Sequence, residues 1–286
     1  MKDLQLFDGT NISRWLWSAL YFAVTFIILH YTAHFWSAFN AWQIGYDPHF
    51  SYNGMQSLYH TTGWSPKRVA FVYLAPPLWG LACSIVGFFG FARTKNINTH
   101  LRTFWFWLCF NGFLLYFSYL ITGILSGIES SSEFYTGFVG FYVWLKWKTK
   151  TIMGILIFQI IMAVFFALVF PPMILRLNHS RRMLSVSTGR WLVLLHVFVI
   201  PLVLGCMFVL LCTFPMALNY QVVRILCCLP VLGLFLMALQ YVEYQGLVIV
   251  KGGLVKRPYW QLAIVLLMLF VLSEAVLRIE LVPIIQ

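Results

Sequence analysis

The sequence predicts an all-α fold, a polytopic transmembrane helix bundle of about seven spans, and three observations carry that prediction. Uncharged stretches recur along the whole 286-residue chain: residues 15–40, 69–92, 103–128, 151–175, 191–223, 225–242 and 258–273 hold no Asp, Glu, Lys or Arg. A hydrocarbon core of roughly 30 Å takes about 20 apolar residues of helix, so most of these stretches are long enough to cross. The composition is 61% hydrophobic and 9% charged, against roughly 25% charge in soluble domains, which is more apolar surface than one soluble core of this size could hide. The stretches also do not alternate polar with apolar, as barrel strands would, and in lipid only helices or closed barrels satisfy every backbone group.

The spans fall at about 15–39, 69–92, 103–127, 151–175, 191–213, 222–243 and 258–277 and form a single integral membrane domain over residues 1–286. The first ends in HYTAH at 30–34. The connection 40–68 is rich in aromatics, glycine and proline, which predicts an ordered segment at the membrane interface. The second span opens on LAPPLWG, and the third runs through FNGFLLYFSYLITG at 110–123. After it, GFVGFYVWLKWKTK at 137–150 is too short an apolar run to cross; its alternating Trp and Lys suit headgroup depth. The fourth and fifth spans flank the basic loop RLNHSRRMLSVSTGR at 176–190. The sixth leaves the bilayer at a polar girdle, where Glu243 stands among Gln240, Tyr241, Tyr244 and Gln245. In the seventh, Glu274 and Arg278 are four residues apart, which reads as a partly solvated helical ion pair.

A formal charge of +11 invites nucleic acid as a partner, but in a membrane protein basic residues gather in cytoplasmic loops and at headgroups, so the partner expected is the lipid bilayer. Counted alternately across the spans, Lys and Arg number 12 on the N-terminal side (Lys2, Arg14, Arg93, Lys95, Arg102, Arg176, Arg181, Arg182, Arg190, Lys251, Lys256, Arg257) against 7 on the other. This predicts a cytoplasmic N-terminus in a bacterial inner membrane. The first helix is expected to stay in the mature chain, since Lys2, Asp3 and Asp8 precede it and no cleavage signature follows. All six cysteines lie in apolar stretches and read as buried small residues rather than disulfides.

Candidate chemistry centres on His30 and His34. Four residues apart on a helix, they share one face at about 6 Å and could offer two imidazoles to zinc or another divalent metal, with Asp47, His49 or His60 as further ligands. The competing reading is a hydrogen-bonded pair of bundle histidines, since lipid would reject two imidazoles. Haem is a lesser alternative, because a bis-histidine site needs one ligand from each of two facing helices and His196 is the only other histidine well inside a span. His100 and His179 are expected in basic loops beside Arg102 and Arg181.

Taken in order, HYTAH at 30–34, the aromatic connection 41–67, LAPPLWG and FNGFLLYFSYLITG resemble a degenerate site-2-protease (M50-like) intramembrane metalloprotease core over the first half of the chain. That family places HExxH on one helix, then an interface-embedded segment, a helix opening near a Gly-Pro pair, and a helix carrying an Asn and a metal-binding Asp. Here Tyr31 stands where the resemblance implies the general base, and a phenol titrating near about 10 is a poor base at neutral pH. No acid occurs between Asp47 and Glu129 to serve as third ligand. The resemblance therefore implies a pseudoprotease that keeps the scaffold without hydrolysis. The expected role is a non-catalytic scaffold or subunit of a membrane complex with other membrane proteins as partners. The alternatives are a metal-dependent membrane enzyme using His30 and His34, and a transporter or lipid-handling protein for a hydrophobic substrate, since mid-membrane charges for ion coupling are scarce.

Overall fold

A computed structural model describes residues 9–46, 48–51, 54–57, 65–94, 99–128, 149–177, 187–213, 233 and 259–278. They form α1 (Gly9–Gln43), a hairpin of β1 (Pro48–Ser51) and β2 (Gly54–Ser57), α2 (Pro66–Tyr73), α3 (Ala75–Arg93), α4 (Thr99–Ile128) and α5 (Thr149–Arg176). Then come α6 (Ser187–Leu194), a π-helical turn (Leu195–Val199), α7 (Ile200–Thr213) and α8 (Tyr259–Arg278). Among the described residues, four stretches are long and apolar enough to cross a membrane: Ile12–Gln43, Ala70–Arg93, Ile157–Arg176 and Gly189–Cys212. The predicted third span lies in α4 and the seventh in α8. The sixth span and the interfacial segment 137–150 fall largely outside the described residues.

The connection after α1 departs from an all-helical chain. α1 stops because Gly45 takes φ +82, a conformation favoured by glycine. The Tyr46 amide then donates to Ala41 O at 3.1 Å and the Gly45 amide to Trp42 O at 3.0 Å, closing the last turn. The hairpin follows, antiparallel in the register Pro48↔Ser57 to Ser51↔Gly54, and it packs against α1.

The predicted second span is met by the stretch Ala70–Arg93, which carries a one-residue interruption at Leu74 between α2 and α3. Pro76 and Pro77 have no amide hydrogen, so the carbonyls of Val72 and Tyr73 lose their usual i+4 donors, and the chain turns at Leu74 between α2 and α3. Helix α1 makes good part of the loss. Ser37 Oγ donates to Val72 O at 2.9 Å, and Asn40 Nδ2 donates to Phe71 O at 2.8 Å. In lipid, where no water can replace a lost donor, such side chains are what permit proline inside a span.

The tightest joint is between α3 and α4, where small residues let the backbones meet. A Cβ on Gly80 would lie 2.8 Å from Gly112 O, and one on Gly112 would lie 2.6 Å from both Gly80 O and Ser84 N. Gly87 meets Cys109 in the same way, and Ser84 Oγ donates to Cys109 O at 2.9 Å. Packing through small residues is the usual basis of helix association in membranes, where burial of apolar surface gives little drive.

Around this joint lies an aromatic core. Phe106, Trp107, Phe110 and Phe113 of α4 meet Phe166 and Phe170 of α5 and Phe198 of the π-helical turn, mostly edge to face at 4.0–6.2 Å between ring centres. Phe22 joins α1 to this cluster and packs on Gly205 of α7. The π-helical turn precedes Pro201: the Ile200 amide reaches back five residues to Leu195 O, widening the helix where proline interrupts the bonding ladder.

Candidate functional site

The residues that sequence reasoning singled out lie on the inward face of α1. His30 and His34 are 2% and 8% exposed, with ring centres 4.6 Å apart and planes at 77°. The imidazoles therefore point into the protein, as a polar pair must if it is to avoid lipid. Tyr31 packs beside His30 at 5.5 Å. Thr32 lies on the flank facing α3, where its hydroxyl donates to Ile28 O at 2.7 Å and accepts from Trp79 Nε1 at 2.8 Å. Ala33 completes the contact with Leu29 and Leu115. The α1 face bearing the histidines is thus held by α3 and α4.

The further candidate ligands are not brought to this pair in the described structure. Asp47 and His60 lie outside the described residues, as does the side chain of His49, although His49 itself belongs to β1 and the hairpin packs against α1. Among the described residues, no group of three or more His, Cys, Asp or Glu side chains gathers around a point. His196 lies at the other end of α1, stacked on Trp15 with ring centres 5.3 Å apart. Trp15 and His30 are fifteen positions apart on one helix, about 22 Å at 1.5 Å per residue. A haem joining His196 to His30 or His34 does not fit that spacing.

Two groups of polar residues were missed in the sequence. The first is a seam between α1 and α4: Trp107 Nε1 donates to Ser18 Oγ at 2.8 Å, and fully buried Asn111 donates to Phe22 O at 3.0 Å and Thr25 Oγ1 at 2.8 Å. Gln159 of α5 continues it by donating to the Tyr116 hydroxyl at 3.3 Å. An Asn and a Gln in the middle of otherwise apolar spans were the available signal, since lipid penalises an amide that finds no partner.

The second group corrects an expectation. His100 and Arg102 are not loop residues on a solvated surface. They occupy the first turn of α4, 8% and 4% exposed. His100 Nδ1 shares a 3.1 Å hydrogen bond with the Tyr21 hydroxyl and meets the edge of Trp17, so α1 covers it. The Arg102 guanidinium lies 4.5 Å from the centre of the Phe91 ring. Burial, and then the like charge of Arg176, push its pKa below the ordinary arginine value. The helix begins earlier than the uncharged stretch does, because these polar residues are capped by aromatic neighbours instead of water.

Comparison with known proteins adds no relative: no protein-family model, no curated protein and no solved structure matches the chain.

Proposed function

We infer that this is a seven-span inner-membrane protein with its N-terminus in the cytoplasm, acting as a non-catalytic scaffold or subunit of a membrane complex on a degenerate M50-like core. The observation that carries this reading is how the interior polar groups of α1, α3 and α4 are used. Ser18, Thr25, Thr32, Trp79, Ser84, Trp107 and Asn111 make hydrogen bonds that join helices to one another, and no carboxylate occurs between Asp47 and Glu129. Such a bundle is built to hold its shape. Tyr31 stands where the resemblance implies the base that a hydrolase of this kind needs beside two histidines.

Two further features support the reading. The four sequence pieces that resemble the M50-like core come together, since α1 packs against the hairpin, α3 and α4. The outer faces of α5 and α8 carry large apolar side chains, among them Ile160, Phe165 and Leu168 on one and Trp260, Leu267 and Met268 on the other. Such faces suit lipid or another membrane protein.

A metal-dependent enzyme is the second reading, favoured by one observation: two buried imidazoles with ring centres 4.6 Å apart. One experiment separates the two. Protein purified without chelator is assayed by elemental analysis and for cleavage of a membrane-embedded reporter, before and after zinc is added. The scaffold reading expects no stoichiometric metal and no cleavage. Metal at about one per chain, lost on His30→Ala and His34→Ala with the fold intact, establishes the second reading.

A further inference from the structure

Between the C-terminal part of α1 and the start of α3 lies a cleft of about 260 Å³, lined by Trp36 of α1 and by Ala75, Leu78, Trp79 and Ala82 of α3 and open along one side. Its walls are two indoles with ring centres 5.8 Å apart. Trp79 is fixed in place because its Nε1 donates to Thr32 Oγ1 at 2.8 Å, so the polar atom of the ring turns to α1 and apolar carbon lines the cleft. Ala75 and Ala82, two helical turns apart on one face, leave the floor open between the rings.

The cleft lies on a stripe that begins with a cation. Lys67, Phe71, Ala75, Leu78 and Ala82 follow at intervals of three or four residues and so share a helical face. Leu74 keeps right-handed helical angles, φ −81 and ψ −14, which carries that face across the interruption. Lys67, Phe71, Leu78 and Ala82 are exposed, and Ala75 is half-buried. The antiparallel pairing of α1 with this stripe fixes its depth. Asn40 meets Phe71 and Thr32 meets Trp79, and the same progression puts Lys67 level with the end of α1, beside exposed Trp42. An aromatic ring and a lysine at helix ends mark headgroup depth. Along the stripe, Ala75 and Leu78 lie about 12 Å and about 16 Å from Lys67, which matches the roughly 15 Å of one leaflet.

We propose that this cleft is a binding site for one acyl chain of a phospholipid, laid between Trp36 and Trp79 with its phosphate at Lys67. A partner helix is the poorer occupant. Helices associate in membranes through small residues that let backbones touch, and the face of α3 built that way, Gly80, Ser84 and Gly87, already meets α4. On the cleft face Leu78 stands out between the two alanines and would hold a second backbone away, whereas a flexible chain bends past it. The phosphate and the Lys67 ammonium then attract each other at the membrane surface, where neither charge is buried.

The test uses the full-length protein, stripped of co-purified lipid in detergent and then given dioleoyl phosphatidylglycerol. Native mass spectrometry reads the lipid retained, with the thermal midpoint alongside. Wild type should retain one lipid per chain and gain thermal stability from it. Ala82→Phe fills the cleft from an exposed position and should retain about tenfold less, the loss expected when about two methylenes are displaced from burial. Lys67→Glu sets like charge against the phosphate and should lower retention with the cleft still open. Leu168→Phe adds bulk at an exposed position of α5 and should keep wild-type retention.

Should Ala82→Phe fail to fold, Trp36→Ala removes one wall at an exposed position and should weaken retention in the same way. Equal retention by wild type, Ala82→Phe and Trp36→Ala overturns the proposal. So does an equal loss in Leu168→Phe, which makes the retained lipid part of the general annulus around the bundle. A dimer that Ala82→Phe dissociates while retained lipid is unchanged also overturns it, and assigns the cleft to a second copy of this chain.

Discussion

Gly112 is a position where one added methyl group should destabilise the bundle. A Cβ there would stand 2.6 Å from Gly80 O and from Ser84 N and 3.1 Å from Ser84 Cα, all main-chain atoms that no rotamer change can move. Relief requires α3 and α4 to part by roughly 0.8 Å, a gap that forfeits about a quarter to a half of each van der Waals well along the seam. Overpacking of this kind costs about 1–3 kcal/mol. The 2.9 Å bond from Ser84 Oγ to Cys109 O would stretch as well.

Against that loss, alanine is better than glycine inside a helix by about 1 kcal/mol. Gly112→Ala should therefore destabilise by up to about 2 kcal/mol net, and Gly112→Val by more. Gly154 in α5 is the control: nothing lies within 4 Å of its Cβ position, so Gly154→Ala should stabilise by up to about 1 kcal/mol. Unfolding of purified protein in mixed micelles, followed by tryptophan fluorescence, reads both. If the two alanine variants shift stability in the same direction by the same amount, the backbone contact between α3 and α4 is not as close as argued.

Ser37→Ala removes the donor to Val72 O, which Pro76 cannot replace, and should cost about 1–3 kcal/mol by the same unfolding assay; a neutral result would mean that the interrupted second span needs no support from α1. Replacing His30 and His34 together by Leu should leave a folded protein, whereas His30→Asp places a charge on a buried face and should cost several kcal/mol or so; size-exclusion profiles and thermal midpoints distinguish these, and collapse of the double Leu variant would show that the imidazoles carry bonds the bundle needs. A single cysteine at Ser185 should be shielded from an impermeant thiol reagent in intact cells and react after permeabilisation; labelling from outside would invert the orientation.

The sequence by itself determined that this chain is helical and lives in a membrane, and it placed most of the described spans. Exclusion of charge from hydrocarbon is a property of each stretch alone, so residues 15–39, 151–175 and 191–213 could be read without knowing their neighbours. It also found His30 and His34, because four-residue spacing fixes a shared helical face whatever packs against it. What it could not give was the pairing of helices. Spans that are apolar all round show no inward stripe, so nothing in periodicity told that Gly80 and Gly112 would meet, that Asn111 would bond to Phe22 O, or that Ser37 of α1 would supply a donor to the Val72 carbonyl freed by Pro76. His100 and Arg102 show the same limit from the other side. Read one by one they are loop cations; packed against Tyr21, Trp17 and Phe91 they become part of the bundle. Only the tertiary structure decides such cases, because whether a polar group is exposed or buried depends on which side chains from distant positions arrive to cover it.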